Sequence, residues 1–116
     1  ANAADDPEPV QLGAVRLLSP KTVRLMTADH LGAIRQSGEL LAPGYGFGLG
    51  FAVRPADGLS PGAGSARMYY WAGLAGTSFF IDPKEALFAQ LLIQQPGRRD
   101  HYRALFRELV YASLID

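Results

Sequence analysis

The sequence predicts an α+β fold in which a small antiparallel β-sheet carries a C-terminal helix packed on one face. Three observations predict it. Between Tyr45 and Val53, aromatic and aliphatic residues (Tyr45, Phe47, Leu49, Phe51, Val53) alternate with Gly46, Gly48, Gly50 and Ala52, and a period of two is that of a strand. Two short apolar runs, Thr77 to Ile81 and Ala86 to Ile93, flank Asp82-Pro83-Lys84-Glu85, a turn sequence that makes them a hairpin. After the Pro96-Gly97 break, Tyr102, Leu105, Phe106, Leu109, Val110 and Leu114 recur at i, i+3, i+4 and i+7, the stripe of an amphipathic helix.

In chain order, residues 1–9 are small, acidic and proline-broken, a composition that buries too little apolar surface to order itself. Residues 1–12 are therefore expected to be a flexible tail or cloning remnant, with 13–116 as one folded segment. The alanines at the start read as a cloning scar, and the chain as a processed or excised piece. Ser19-Pro20 is a helix start, because Ser accepts from free N–H groups and Pro at the first helical position forfeits no bond. Val23, Met26, His30 and Leu31 then predict a helix over about 20–31, with Gly32 as its stop. One strand is expected over about 45–53, its bare parity suited to close approach by another element. Pro55, Gly58, Pro61, Gly62 and Gly64 make about 54–66 an irregular connection. Strands follow near 67–72, 76–81 and 86–94. On the last helix Arg98, Arg99, Arg103, Arg107 and Glu108 are expected to form the solvated face.

Composition excludes several function classes. With 116 residues and 12.5 kDa there is room for one domain. Eleven basic residues against eleven acidic ones leave no excess to neutralise phosphates, which argues against a nucleic-acid partner. The absence of cysteine removes disulfides, thiolate catalysis and zinc–thiolate sites. No run approaches the roughly 20 apolar residues of a membrane span. Only 19% of residues are charged while 48% are hydrophobic, so some apolar surface is expected to lack cover.

The obvious motifs fail on physical grounds. The glycine run does not match G-x-G-x-x-G and no helix start follows it. Gly58-Leu59-Ser60-Pro61-Gly62 spells G-x-S-x-G, yet a nucleophile elbow needs the N–H of the residue after the serine, and Pro61 has none. Ser60 is read as a loop residue. Asp29-His30 and Asp100-His101 place each carboxylate next to its histidine in sequence, about 100° away around a helix. His30 is therefore read as a partly buried helix residue and His101 as a first-turn surface residue. No metal site and no cofactor is predicted.

What remains is Tyr69-Tyr70-Trp71-Ala72-Gly73-Leu74-Ala75-Gly76-Thr77, a strand running through small residues into the next strand. Taken with Leu17-Leu18-Ser19-Pro20-Lys21-Thr22-Val23, Gly44-Tyr45-Gly46-Phe47-Gly48-Leu49-Gly50-Phe51, Phe79-Phe80-Ile81-Asp82-Pro83-Lys84-Glu85 and the terminal helix, this order resembles the C-terminal part of the β-lactamase-fold (penicillin-recognising) serine hydrolases, which include class C β-lactamases and β-lactamase-like esterases. The resemblance covers about residues 13–115 and rests on the order and spacing of the pieces. It implies that Trp71, Ala72 and Gly73 stand where the family carries Lys-Thr-Gly, His-x-Gly or Trp-x-Gly. Tyr70, Trp71, Ala72 and Gly73 would then form the substrate-binding wall, and the backbone N–H of Leu74 an oxyanion-hole donor. Without the Lys and Thr, ester or peptidase-like acyl hydrolysis of a small ester or amide is implied over β-lactam hydrolysis. The family nucleophile, the Ser of S-x-x-K, is absent: no serine here has Lys three positions on, and Asn2 is the only asparagine, so Y-x-N cannot occur. The resemblance implies that the chain alone is inactive and associates with the rest of a parent enzyme or with itself through an open sheet edge. The competing expectation is a stand-alone, non-catalytic binding module that uses the aromatic face of Tyr45, Phe47, Phe51, Tyr69, Tyr70 and Trp71.

Overall fold

In a computed structural model, which describes residues 10–34 and 40–115, the chain is α+β. Its strands are β1 (Val10–Leu12), β2 (Val15–Leu18), β3 (Gly46–Phe47), β4 (Ala52–Val53), β5 (Tyr69–Ala72), β6 (Ser78–Asp82) and β7 (Leu87–Leu91), and its helices α1 (Pro20–Met26) and α2 (Arg99–Ala112). Strands β3 to β7 form one sheet in that order, every neighbour antiparallel, while β1 and β2 make a separate hairpin. Val10–Leu12, within the segment read as a tail, are thus paired with Val15–Leu18; residues 1–9 lie outside the described residues.

Ser19 caps α1, its Oγ accepting from the Thr22 N–H at 3.2 Å, with Pro20 in the first turn. The helix stops at Met26, five residues short of the expected end. The cause is tertiary: the Met26 carbonyl accepts from Leu49 N–H at 2.9 Å, and His30 N–H donates to the Phe47 carbonyl at 2.9 Å. Asp29 Oδ1 accepts from Leu31 N–H at 2.9 Å and from Phe47 N–H at 3.3 Å. Residues 27–31 therefore serve the sheet edge instead of a helix, and His30 is exposed, with its Nε2 at 2.7 Å from the Leu25 carbonyl.

The alternating run 45–53 is a hairpin and not one strand. Gly46 pairs with Val53 and Phe47 with Ala52, around a turn closed by Gly48 N–H to the Phe51 carbonyl at 2.8 Å. Gly50 sits at φ +99°, a conformation open to glycine and closed to most side chains. Period two survives a reversal of direction, so alternation alone could not reveal the turn.

The second hairpin forms where its turn chemistry places it. Asp82 Oδ1 accepts from the N–H groups of Lys84 (3.1 Å) and Glu85 (3.3 Å), and its Oδ2 accepts from Tyr111 OH. Asp82 is wholly buried, and these three donors are what make a buried carboxylate tolerable. Phe80, Met68, Ala52, Val53 and Tyr45 form the core. Phe80 stacks on Tyr111 at 5.6 Å and meets Phe106 edge-on at 5.9 Å, which fastens α2 to the sheet.

The face of α2 that meets the sheet differs from the expected one. Leu105 and Leu109 are exposed, at 44% and 60%, while Arg103 and Arg107 are half-buried alongside Phe106, Val110 and Tyr111. The Arg107 guanidinium lies 4.7 Å from the Tyr70 ring centroid and 5.5 Å from that of Phe80, and donates to Tyr45 OH at 3.0 Å. Aromatic faces attract a cation, and an arginine stem packs as apolar surface, so arginine substitutes for leucine on this face. Leu105, Leu109, Phe88 and Leu92 are left in solvent, and the outer edge of β7 pairs with no strand among the described residues.

Burial, the Asp82 hydrogen bond and the Asp82 charge together raise the Tyr111 pKa well above the ordinary phenol value; burial also raises Tyr69 and, partly offset by Arg107, Tyr70. The folded state thus holds phenol protons that the unfolded chain releases first. The associated stability is complete below about pH 10, where both states are protonated, and is lost as pH rises through the folded-state values. Urea midpoints measured across that range should fall with increasing pH, and Tyr111→Phe should be less stable at neutral pH yet decline less steeply.

Candidate functional site

The residues from Tyr70 to Leu74 line one side of an open groove of about 820 Å³, whose opposite wall is Arg99, Arg103 and Arg107 of α2. Strand β5 places them there. Tyr70 turns toward α2 under Arg107 and meets Tyr45 edge-on at 5.1 Å, while Trp71, on the other parity, packs against Phe47 at 5.4 Å. Phe51 meets Tyr69 at 5.1 Å and Phe79 at 6.2 Å. The six aromatics are therefore split between the two faces of the sheet and packed on one another in pairs.

At the end of β5 the chain reverses in a three-residue hairpin loop, closed by Gly73 N–H to the Thr77 carbonyl at 2.8 Å and by Gly76 N–H to the Gly73 carbonyl at 3.1 Å. A Cβ on Gly73 would stand 2.5 Å from Thr77 Oγ1, so any other residue there would have to displace the Thr77 hydroxyl. Leu74 occupies the first corner of this turn with its side chain in solvent, 79% exposed. Whatever Leu74 contributes must come from its backbone.

The direction of that backbone follows from strand parity. Gly73 N–H is bonded toward β6, so its carbonyl points to the same side, and in a trans peptide the Leu74 N–H points the opposite way. That is the edge of β5 facing β4. Strand β4 covers this edge only at Tyr69 and Tyr70. Beyond Tyr70 the edge is open, and among the described residues the Leu74 N–H donates to no acceptor. An extended or carbonyl-bearing molecule laid along this edge would meet the backbone of Ala72 and the N–H of Leu74.

Sequence reasoning missed the contacts behind the loop. The Leu74 carbonyl accepts from Arg99 Nη1 at 3.0 Å, the Gly73 carbonyl from Arg103 Nη2, and the Ala75 carbonyl from Gln95 N–H at 2.7 Å. The sequence places Arg99 and Arg103 on the solvated face of the helix, and the only signal in it for these contacts is their i, i+4 spacing. A second omission is Tyr111-Ala112-Ser113, a literal Y-x-S. It lies at the end of α2, with Tyr111 OH on Asp82 and Ser113 Oγ donating to the Val110 carbonyl at 2.7 Å. Asp82 ends β6 at the far side from the Gly73 loop, so this pair does not join the groove's open edge.

Of the other candidates, Ser60 sits in the irregular connection and lines the same groove, its Oγ accepting from Gly62 N–H at 3.4 Å. His101 is exposed in the first turn of α2 against Tyr102. Among the described residues no group of three or more His, Asp or Glu side chains is placed to hold a metal ion, and no helix is long and apolar enough to cross a membrane.

A protein-family model described as Beta-lactamase matches residues 10–112. No curated protein matched the chain.

Proposed function

The chain belongs to the Beta-lactamase family, and from that premise we propose that it supplies the oxyanion strand of a serine hydrolase acting on small esters or amides. One observation carries this reading: the Leu74 N–H, unpaired among the described residues, is aimed along an open edge of β5. A preorganised backbone donor stabilises the negative charge that develops on the carbonyl oxygen during acyl transfer, and does so without reorganising at the moment of reaction. Tyr70, Trp71, Ala72 and Gly73 form the adjoining wall. Trp71 and Ala72 offer neither an ammonium nor a hydroxyl to a β-lactam carboxylate, which favours esters or amides as substrates.

The nucleophilic Ser and its Lys lie outside this sequence. In the parent, further strands cover the outer edge of β7, and the exposed Leu105, Leu109 and Phe88 mark apolar surface that this association buries. The second reading, an apolar-partner module, draws on Tyr45, Phe47, Phe51, Tyr69, Tyr70 and Trp71. These rings are divided between the two faces of the sheet and already packed on one another in pairs, which ranks it below the first.

The test has two arms. The 116-residue chain alone should give no saturable hydrolysis of short p-nitrophenyl esters. A protein carrying this sequence together with an S-x-x-K segment should be labelled by a fluorophosphonate on the serine of that segment. A burst with saturation from the chain alone, or labelling of a serine within it, would overturn the proposal.

A further inference from the structure

We propose that Arg103 is a positioning residue for the Leu74 N–H, holding the Gly73–Leu74 peptide from behind so that its donor stays aimed at the open edge of β5. The inference rests on the oxyanion reading above. The loop's own turn bond, Gly76 N–H to the Gly73 carbonyl at 3.1 Å, is a single hold on that peptide, and no side chain of the loop adds a second, because its only large one, Leu74, is in solvent. The further holds come from α2 and the turn before it. Arg103, Arg99 and Gln95 take the carbonyls of Gly73, Leu74 and Ala75 in succession, across 20 to 30 residues of sequence. Because the peptide unit is planar and trans, holding the Gly73 carbonyl fixes the Leu74 N–H at its other end.

Arg103 differs from Arg99 in three respects that assign it the larger part. Its bond is to the peptide that contains the donor. The same Nη2 also reaches the Thr77 carbonyl at 3.5 Å, so that one nitrogen touches both ends of the loop. It is drawn inward against a desolvation cost: the side chain is 22% exposed, its Nε is buried with no hydrogen-bond partner among the described residues, and the nearest carboxylate, Asp100 at 3.6 Å, is itself 93% exposed. A cation hydrogen-bonded to the carbonyl end of a peptide also polarises its N–H, which strengthens that donor toward a developing anion.

The experiment compares Arg103→Met, Arg103→Lys, Leu74→Pro and the double variant Leu74→Pro/Arg103→Met in the full-length hydrolase carrying this segment. The probes are a p-nitrophenyl ester and an alkyl boronic acid that mimics the tetrahedral intermediate. Arg103→Met should lower kcat about tenfold with KM within about twofold, and weaken the boronate by a similar factor, as expected for an interaction made in the transition state. Arg103→Lys keeps the charge without the fork and should recover part of the loss. In the Leu74→Pro background Arg103→Met should cause no further loss, because the donor it serves is gone. An equal loss in both backgrounds, or none in either, would overturn the positioning role while leaving the oxyanion strand in place. If Leu74→Pro itself leaves turnover unchanged, the oxyanion reading falls and this inference with it. Thermal unfolding of every variant separates these outcomes from misfolding, as does the Leu74 amide resonance of the 116-residue chain, which should move in Arg103→Met.

Discussion

Under the proposed function, Leu74→Pro is expected to lower the turnover of a serine hydrolase carrying this segment by roughly 10²–10³-fold, the effect of deleting one oxyanion donor, while leaving the β5–β6 hairpin folded. The substitution is unusually clean at this position. Leu74 stands at the first corner of the turn closed by Gly76 N–H to the Gly73 carbonyl, where proline's fixed φ is favoured. The leucine side chain is in solvent, so no packing is lost, and its N–H has no acceptor among the described residues, so no hydrogen bond is lost either. Glycine precedes it, the residue least restricted by a following proline. Leu74→Ala, which keeps the N–H, should leave kcat within about twofold, and steady-state kinetics on the two variants isolate the backbone from the side chain. Equal activity in Leu74→Pro and Leu74→Ala would remove the loop from the catalytic machinery.

Phe80→Ala should destabilise the chain by about 3–5 kcal/mol, the range for deleting a buried phenylalanine. Phe80 is 1% exposed in the central part of β6, paired with Tyr70 on one side and Ala89 on the other. Its ring meets Phe106, Tyr111 and the Arg107 guanidinium, all on α2. The cavity would therefore open between sheet and helix, where the neighbours are rings that cannot collapse into it without moving α2. The same helix carries Arg99 and Arg103 to the Gly73 loop, so the loss should reach the site. Urea unfolding measures the stability change, and a midpoint shift equivalent to less than about 1 kcal/mol would mean that α2 is held by something other than this ring.

Legibility differed from element to element for physical reasons. The β6–β7 hairpin and the cap of α1 were readable because their determinants are local: Asp82 accepts from N–H groups two and three residues on, and Ser19 from one three residues on. The end of α1 and the split of 45–53 into two strands were not, because both are decided by bonds between segments 17 to 23 residues apart, Met26 to Leu49 and His30 to Phe47. Periodicity reports which residues share a side and is blind to where the chain turns back. On α2 the helix itself was evident, yet its orientation was misjudged, since hydropathy ranks arginine as solvent-facing while Tyr70 and Phe80 offer it a ring face.

The sequence by itself determined the α+β class and the order of the pieces, since turn chemistry, capping and strand-forming residues act over a few positions; the stretch Tyr70 to Leu74 was marked as the place to look only by the family resemblance. Only the tertiary structure decided that the Leu74 N–H faces an uncovered edge and that arginines 25 and 30 residues away along the chain hold the peptide behind it. The direction of a backbone dipole depends on which neighbours take the opposite end of the same rigid peptide, and here the loop's own Gly76 N–H is joined by Arg103, which the packing of α2 on the sheet brings there.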